Sequence, residues 1–158
     1  MKPYFDHEKL NVYQVSLTFN EWVGELLSSI EAKAAAKDHL DRAATSIPLN
    51  IAEGNGKFSK RDRARFFDIA RGSAAESAAS LDVLVSRKFT TKGHVAPAKE
   101  QLVQIVNMLM GLLKGLGYVF DSGTGIAREE SDYEFGYEHE HEHEHEYEQE
   151  TDHERMED

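Results

Sequence analysis

Between Leu10 and Leu116 the apolar residues recur three and four positions apart in four successive runs, and nowhere before Tyr118 do they alternate for long enough to make a strand. Helical periodicity with no rival period of two restricts the body to helices packed on helices. Short links between the runs favour neighbours that run antiparallel, and parallel-sheet nucleotide folds are excluded. The expected fold class is all-α: an antiparallel up-and-down four-helix bundle over residues 1–118, followed by a disordered acidic tail over residues 119–158.

The first run carries two stripes. Leu10, Tyr13, Leu17, Val23, Leu27 and Ile30 form one, and Val12, Val15, Phe19, Trp22 and Leu26 the other. Together they make an arc wider than one partner helix needs, which fits either a helix packed deep in the bundle or one that also meets another subunit. The second run spans about His39 to Glu53 and is expected to stop at Gly54-Asn55-Gly56. Pro48 lies inside it and predicts a bend around residues 44–48, or else two short helices. The third begins at Ser59, with Asp62 in the capping-box position, and marks an inner face with Phe66, Ile69, Ser73, Ser77, Leu81 and Leu84. Nine of the eleven residues from Ala70 to Ser80 are Ala, Gly or Ser, which predicts a close helix–helix approach or a groove floored by serines. After a turn at Thr90–Gly93, the fourth runs from about Pro97 to Gly117, with Leu102, Ile105, Leu109, Leu112 and Leu116 on one face.

Charge divides the chain where the pattern ends. The 158 residues carry a net charge of −11, but residues 1–118 hold 16 Lys+Arg against 13 Asp+Glu, and the rest hold 2 against 16. A body of net +3 therefore precedes a tail of net −14. Asp121-Ser122-Gly123-Thr124-Gly125 is linker-like, and residues 129–158 are too poor in apolar side chains to offset the entropy of ordering them. His139, His141, His143 and His145 alternate with Glu, and in either an extended or a helical geometry they are candidates for a borderline metal such as Zn²⁺ or Ni²⁺. A solubilising low-complexity tail is the favoured reading of the same residues, and no metal is expected. A further expectation is that this tail shields basic surface on the body from non-specific nucleic acid.

Chemistry is sparse elsewhere. The chain has no cysteine, so thiol nucleophiles and Cys-ligated metals are excluded. His7, His39 and His94 lie in separate segments, no phosphate loop or nucleophile elbow occurs, and no cofactor is expected. With no catalytic set a non-enzymatic protein is expected, and because residues Met1 to Lys9 lack a signal pattern and no run suits a membrane span, a cytoplasmic one. The one concentrated feature is the stretch from Lys57 to Phe67, where Lys57, Lys60, Arg61, Arg63 and Arg65 surround one acid, with three aromatics interleaved. Cations at this spacing can gather on a loop and the first helical turns to meet phosphates, and Phe58 can stack on a base. The alternative is a solvated basic face with Phe66 and Phe67 in the core.

The stretch Arg42-Ala-Ala-Thr-Ser46-Ile-Pro48-Leu-Asn50-Ile-Ala-Glu53-Gly54-Asn-Gly resembles the hallmark of the four-helix-bundle family of 23S rRNA intervening-sequence proteins. Phe66-Phe67-Asp68-Ile69-Ala70-Arg71-Gly72-Ser73 with Glu76 continues it, and Leu10-Asn11-Val12-Tyr13-Gln14 is similar to the start of the family's first helix. The resemblance covers residues 5–118. It implies a left-handed up-and-down bundle, and a relation to the accessory variability determinant of diversity-generating retroelements, a homopentamer that binds nucleic acid and its reverse transcriptase. A homo-oligomer, with a pentamer as the expected state, and RNA, DNA or a reverse transcriptase as partner are therefore the implied associations. An interaction scaffold with no nucleic-acid role is the alternative.

Within the motif, Ser46 and Asn50 share a helical face and can bond neighbouring backbone or the carbonyl freed by Pro48. Arg42 and Glu53 lie three turns apart, so each is expected to pair on another helix, with Glu76 as the candidate for Arg42. Such residues are expected to fix helix register.

Overall fold

The computed structural model describes residues 2–31, 35–120 and 127–129 of the chain. Four helices dominate: α1 (Asn11–Ser29), α2 (Ala35–Gly56), α3 (Lys60–Ser86) and α4 (Lys92–Gly115). Each packs on the next in sequence, and α4 packs on α1, which closes the bundle. Only residues 57–59 separate α2 from α3, and 87–91 separate α3 from α4. Links this short leave a following helix no course except back along its predecessor. The core threads all four helices through Phe19, Ile47, Ile51, Leu81, Ile105 and Leu109, each with no exposed surface.

Local chemistry sets the helix ends. The Ser59 hydroxyl accepts the Asp62 backbone N–H at 3.3 Å, starting α3 where the capping pattern predicts. The Thr91 hydroxyl accepts the His94 N–H at 3.3 Å and starts α4 at Lys92. The expected turn at Thr90–Gly93 is thus partly the first turn of α4, and Pro97 lies inside the helix rather than near its start. The carbonyl that Pro97 leaves without a helical donor belongs to Gly93, which is exposed to water. At the other end α4 stops at Gly115, short of the expected Gly117.

Helix α2 is one element, not two; it begins before the expected His39, at Ala35, and ends at Gly56, the last residue of the expected Gly54-Asn55-Gly56 stop. Gly54 therefore does not stop the helix. A Cβ at residue 54 would lie 2.9 Å from two ring carbons of Phe67, so the missing side chain is what lets α3 approach α2. The small residues of α3 serve the same approach: Ala70, Ser73, Ala74 and Ser77 are buried, in a close helix contact rather than a groove. The expected inner faces are buried over most of their length, at Ser73, Ser77, Leu81 and Leu84 on α3 and at Leu102, Ile105 and Leu109 on α4, and each differs from expectation at one end. On α3, Phe67 is buried while Phe66 is half-buried and Ile69 exposed; on α4, Leu113 is buried and Leu112 and Leu116 only half-buried.

Residues from Gly117 onward form a separate unit. Its described part is an antiparallel pair of three-residue strands, β1 (Tyr118–Phe120) and β2 (Ala127–Glu129), with Val119 opposite Arg128. The expected tail thus begins with paired strands, for which aromatic and β-branched residues in Tyr118-Val119-Phe120 are suited. The linker at Asp121–Gly125 and the acidic repeat beyond residue 129 lie outside the described residues. Among those described, no helix is long and apolar enough to cross a membrane.

Candidate nucleic-acid interface at the corner between α2 and α3

The basic stretch sits where α2 hands over to α3. Lys57, Phe58 and Ser59 form the link, pinned at one end by the Lys57 N–H donating to the Gly54 carbonyl at 3.2 Å and at the other by the Ser59 cap. Phe66, one and a half turns into α3, organises two of the cations. The Lys57 ammonium lies 4.9 Å from the centre of its ring and the Arg65 guanidinium 6.0 Å from it, close enough for cation–π attraction. Lys57 also pairs with Glu53 at 3.1 Å. Lys60, Arg61 and Arg65 are exposed, and among the described residues no carboxylate lies within ion-pair distance of any of the three.

Arg63 does not join them. It turns back onto α2, where Nη2 donates to the Asn55 carbonyl at 3.1 Å and Nε is buried with no partner among the described residues. The reason is positional: residue 63 lies two positions from both Arg61 and Arg65, on the face that meets α2. It caps the C-terminal end of α2, where a cation complements the helix dipole. Lys60 and Arg61 sit at the opposite kind of end. Positive charge in the first turn of α3 opposes the dipole, an arrangement that favours an anion close by over local stability.

Behind this corner the motif residues tie α2 to α3. Asn50 Nδ2 donates to the Ser46 carbonyl at 2.8 Å and to Ser46 Oγ at 2.9 Å. Ser73 Oγ donates to the Ile69 carbonyl at 2.9 Å, so its 2.8 Å contact with Ser46 Oγ has Ser46 as the donor. A single directed chain thus runs from the Asn50 amide through two hydroxyls to backbone of α3. Further along the seam, Arg42 Nη2 lies 3.4 Å from His39 Nδ1, which lies 3.6 Å from Glu76 Oε1. Arg42 therefore does not pair with Glu76; His39 stands between them. Nor does Glu53 reach another helix, since Lys57 is one turn away on the same side.

Pro48 leaves the buried Ala44 carbonyl without its helical donor, and the replacement comes from α1. Asn20 Nδ2 donates to Ala44 O at 2.8 Å as well as to Ser16 O at 2.9 Å. Sequence reasoning assigns this task to Ser46 and Asn50 and passes over Asn20. The available signal is an amide set inside the apolar arc of the first helix.

His139, His141, His143 and His145 lie outside the described residues. Among those described, no three His, Asp or Glu side chains are grouped to hold a metal ion.

A family model described as 23S rRNA-intervening sequence protein matches residues 8–111. A crystal structure of a protein with unknown function from the S23 ribosomal protein family of Bacteroides thetaiotaomicron is similar to the chain with a TM-score of 0.62, at 23% identity, over 65% of this chain and 98% of that one. At this identity the likeness concerns the fold. No curated protein matches the chain.

Proposed function

The chain belongs to the family of 23S rRNA-intervening sequence proteins, and from that premise we propose that it is a non-enzymatic, homo-oligomeric accessory factor that associates with RNA or DNA in the cytoplasm. Lys60, Arg61 and Arg65, with Lys57 beside them, hold the phosphates. The observation that carries this reading is three exposed cations with no carboxylate at ion-pair distance among the described residues, clustered where the α3 dipole already favours an anion. A solvated basic face would more readily interleave acids, as Lys99 and Asp82 do between α4 and α3 at 2.6 Å.

The full-length chain with Lys60→Glu, Arg61→Glu and Arg65→Glu combined is expected to bind labelled structured RNA or duplex DNA at least about tenfold more weakly than the wild type, while melting at the same temperature or slightly above it, because exposed charges contribute little to stability and acids in the first turn of α3 suit its dipole. Unchanged affinity would remove the corner from the interface.

Self-association has its own support. Leu17 on α1 and Val103 on α4 remain exposed, at 41% and 60%, and Val15 and Trp22 are only partly covered. The arc on α1 is thus wider than the bundle covers. Sedimentation of the full chain is expected to give a homo-oligomer, with five copies as the number the family resemblance implies. A monomer at tens of micromolar would exclude assembly through this face. The same exposed residues are what favours the second reading, an interaction scaffold without nucleic acid.

A further inference from the structure

Phosphate contacts do not distinguish paired from unpaired strands, but one side chain at the corner bears on that choice. Phe58 is fully exposed, in the middle of the link between Lys57 and Ser59, with Lys60 two residues on. The other two aromatics of the basic stretch have work inside the fold: Phe67 fills the space left by Gly54, and Phe66 carries the Lys57 and Arg65 cations. Phe58 has none, and among the described residues no ring stacks on it. Its backbone is nonetheless held, because the link is three residues long and bonded at both ends. The phenyl ring is therefore presented to solvent from a fixed place.

A phenyl face has no hydrogen-bonding group, so what it offers a nucleic acid is stacking, and stacking needs a base whose face is free. Bases in a duplex are already stacked, and exposing one requires unstacking the step. An unpaired strand presents its bases at no such cost. Arg61 and Arg65 lie one helical turn apart, about 6 Å along the axis, so they can track a backbone whose base turns toward the link.

Building on the nucleic-acid reading above, we propose that Phe58 makes this corner selective for unpaired polynucleotide: Lys60, Arg61 and Arg65 hold successive phosphates while one base stacks on the Phe58 ring. The selectivity is for unpaired structure and tolerates any base, since every base has a stacking face.

The test compares full-length wild type, Phe58→Ala and Phe58→Trp for binding to a labelled single-stranded RNA, the single-stranded DNA of the same sequence, and the duplex of each. Phe58→Ala is expected to weaken binding to the single strands about tenfold and to the duplexes by less than about twofold, with Phe58→Trp retaining wild-type affinity for the single strands. Equal losses on single strands and duplexes, or no loss on either, would overturn the proposal. So would a change in sedimentation of the Phe58→Ala chain, which would make the ring a contact between protein subunits. Salt-sensitive binding that ignores Phe58→Ala overturns this inference and leaves the phosphate reading standing. A wild type that binds none of the four probes overturns both.

Discussion

The Gly54→Val substitution is expected to destabilise the bundle by about 3 kcal/mol, at the upper end of overpacking penalties, and to lower the melting temperature by about 10 °C. The new Cβ would stand 2.9 Å from two Phe67 ring carbons and 3.1 Å from the Phe66 Cβ. Neither neighbour yields easily: Phe67 is buried in the bundle, and a Cβ moves only with its backbone. Removing a glycine from a helix normally gains about 1 kcal/mol, less than the clash takes away, and valine's branch forfeits part of that gain. Gly72, in the middle of α3, supplies the control. Among the described residues nothing lies within 4 Å of a Cβ there, so Gly72→Ala is expected to raise stability by up to about 1 kcal/mol. Thermal unfolding monitored by circular dichroism reads both signs. A Gly54→Val chain that melts with the wild type would mean that α2 and α3 do not meet as described.

Asn20→Ala is the second large effect, expected at about 1–3 kcal/mol, because it leaves a buried carbonyl without a donor. The carbonyl is that of Ala44, which has no exposed surface, and its helical donor is absent because residue 48 is proline. The dependence on Pro48 gives the prediction its specificity. Pro48→Ala restores a backbone N–H four residues after Ala44, so in that background the Asn20→Ala penalty is expected to shrink by about half or more. The double-mutant cycle, measured by denaturant unfolding, checks this directly. Strictly additive penalties would show that Asn20 stabilises the bundle by some route other than the Ala44 carbonyl.

These two residues also mark how far the sequence is legible. The four helices, the Ser59 cap and the close approach of α3 come from local rules: apolar spacing, a hydroxyl three residues before Asp62, a run of small side chains. The features that escape those rules depend on partners distant in sequence. Gly54 looks like a stop because glycine usually ends helices, and only the position of Phe67 on the neighbouring helix shows its actual use. Pro48 announces a lost hydrogen bond without saying which residue replaces it, and the answer lies on α1. At the corner, five cations are equivalent as sequence, yet helical phase turns Arg63 onto Asn55 and leaves Lys60, Arg61 and Arg65 outward. Arg42 illustrates the same limit, since charge alone suggests Glu76 and the intervening His39 is invisible. The strand pair after Leu116 escapes because three-residue strands are shorter than any periodicity can reveal.

The salt dependence of nucleic-acid binding by the full-length chain tests the central claim most directly. Each phosphate neutralised releases counterions worth about 0.9 on a duplex and about 0.7 on a single strand in the slope of log affinity against log salt, so three to four cations at the corner predict a slope of about −3 to −4 on a duplex and about −2 to −3 on a single strand. Arg61→Ala is expected to reduce that slope by about 1, whereas Arg63→Ala, which lowers stability by uncapping α2, is expected to leave it unchanged. A slope near zero in the wild type, or equal changes from Arg61→Ala and Arg63→Ala, would contradict the assignment of phosphate binding to this corner.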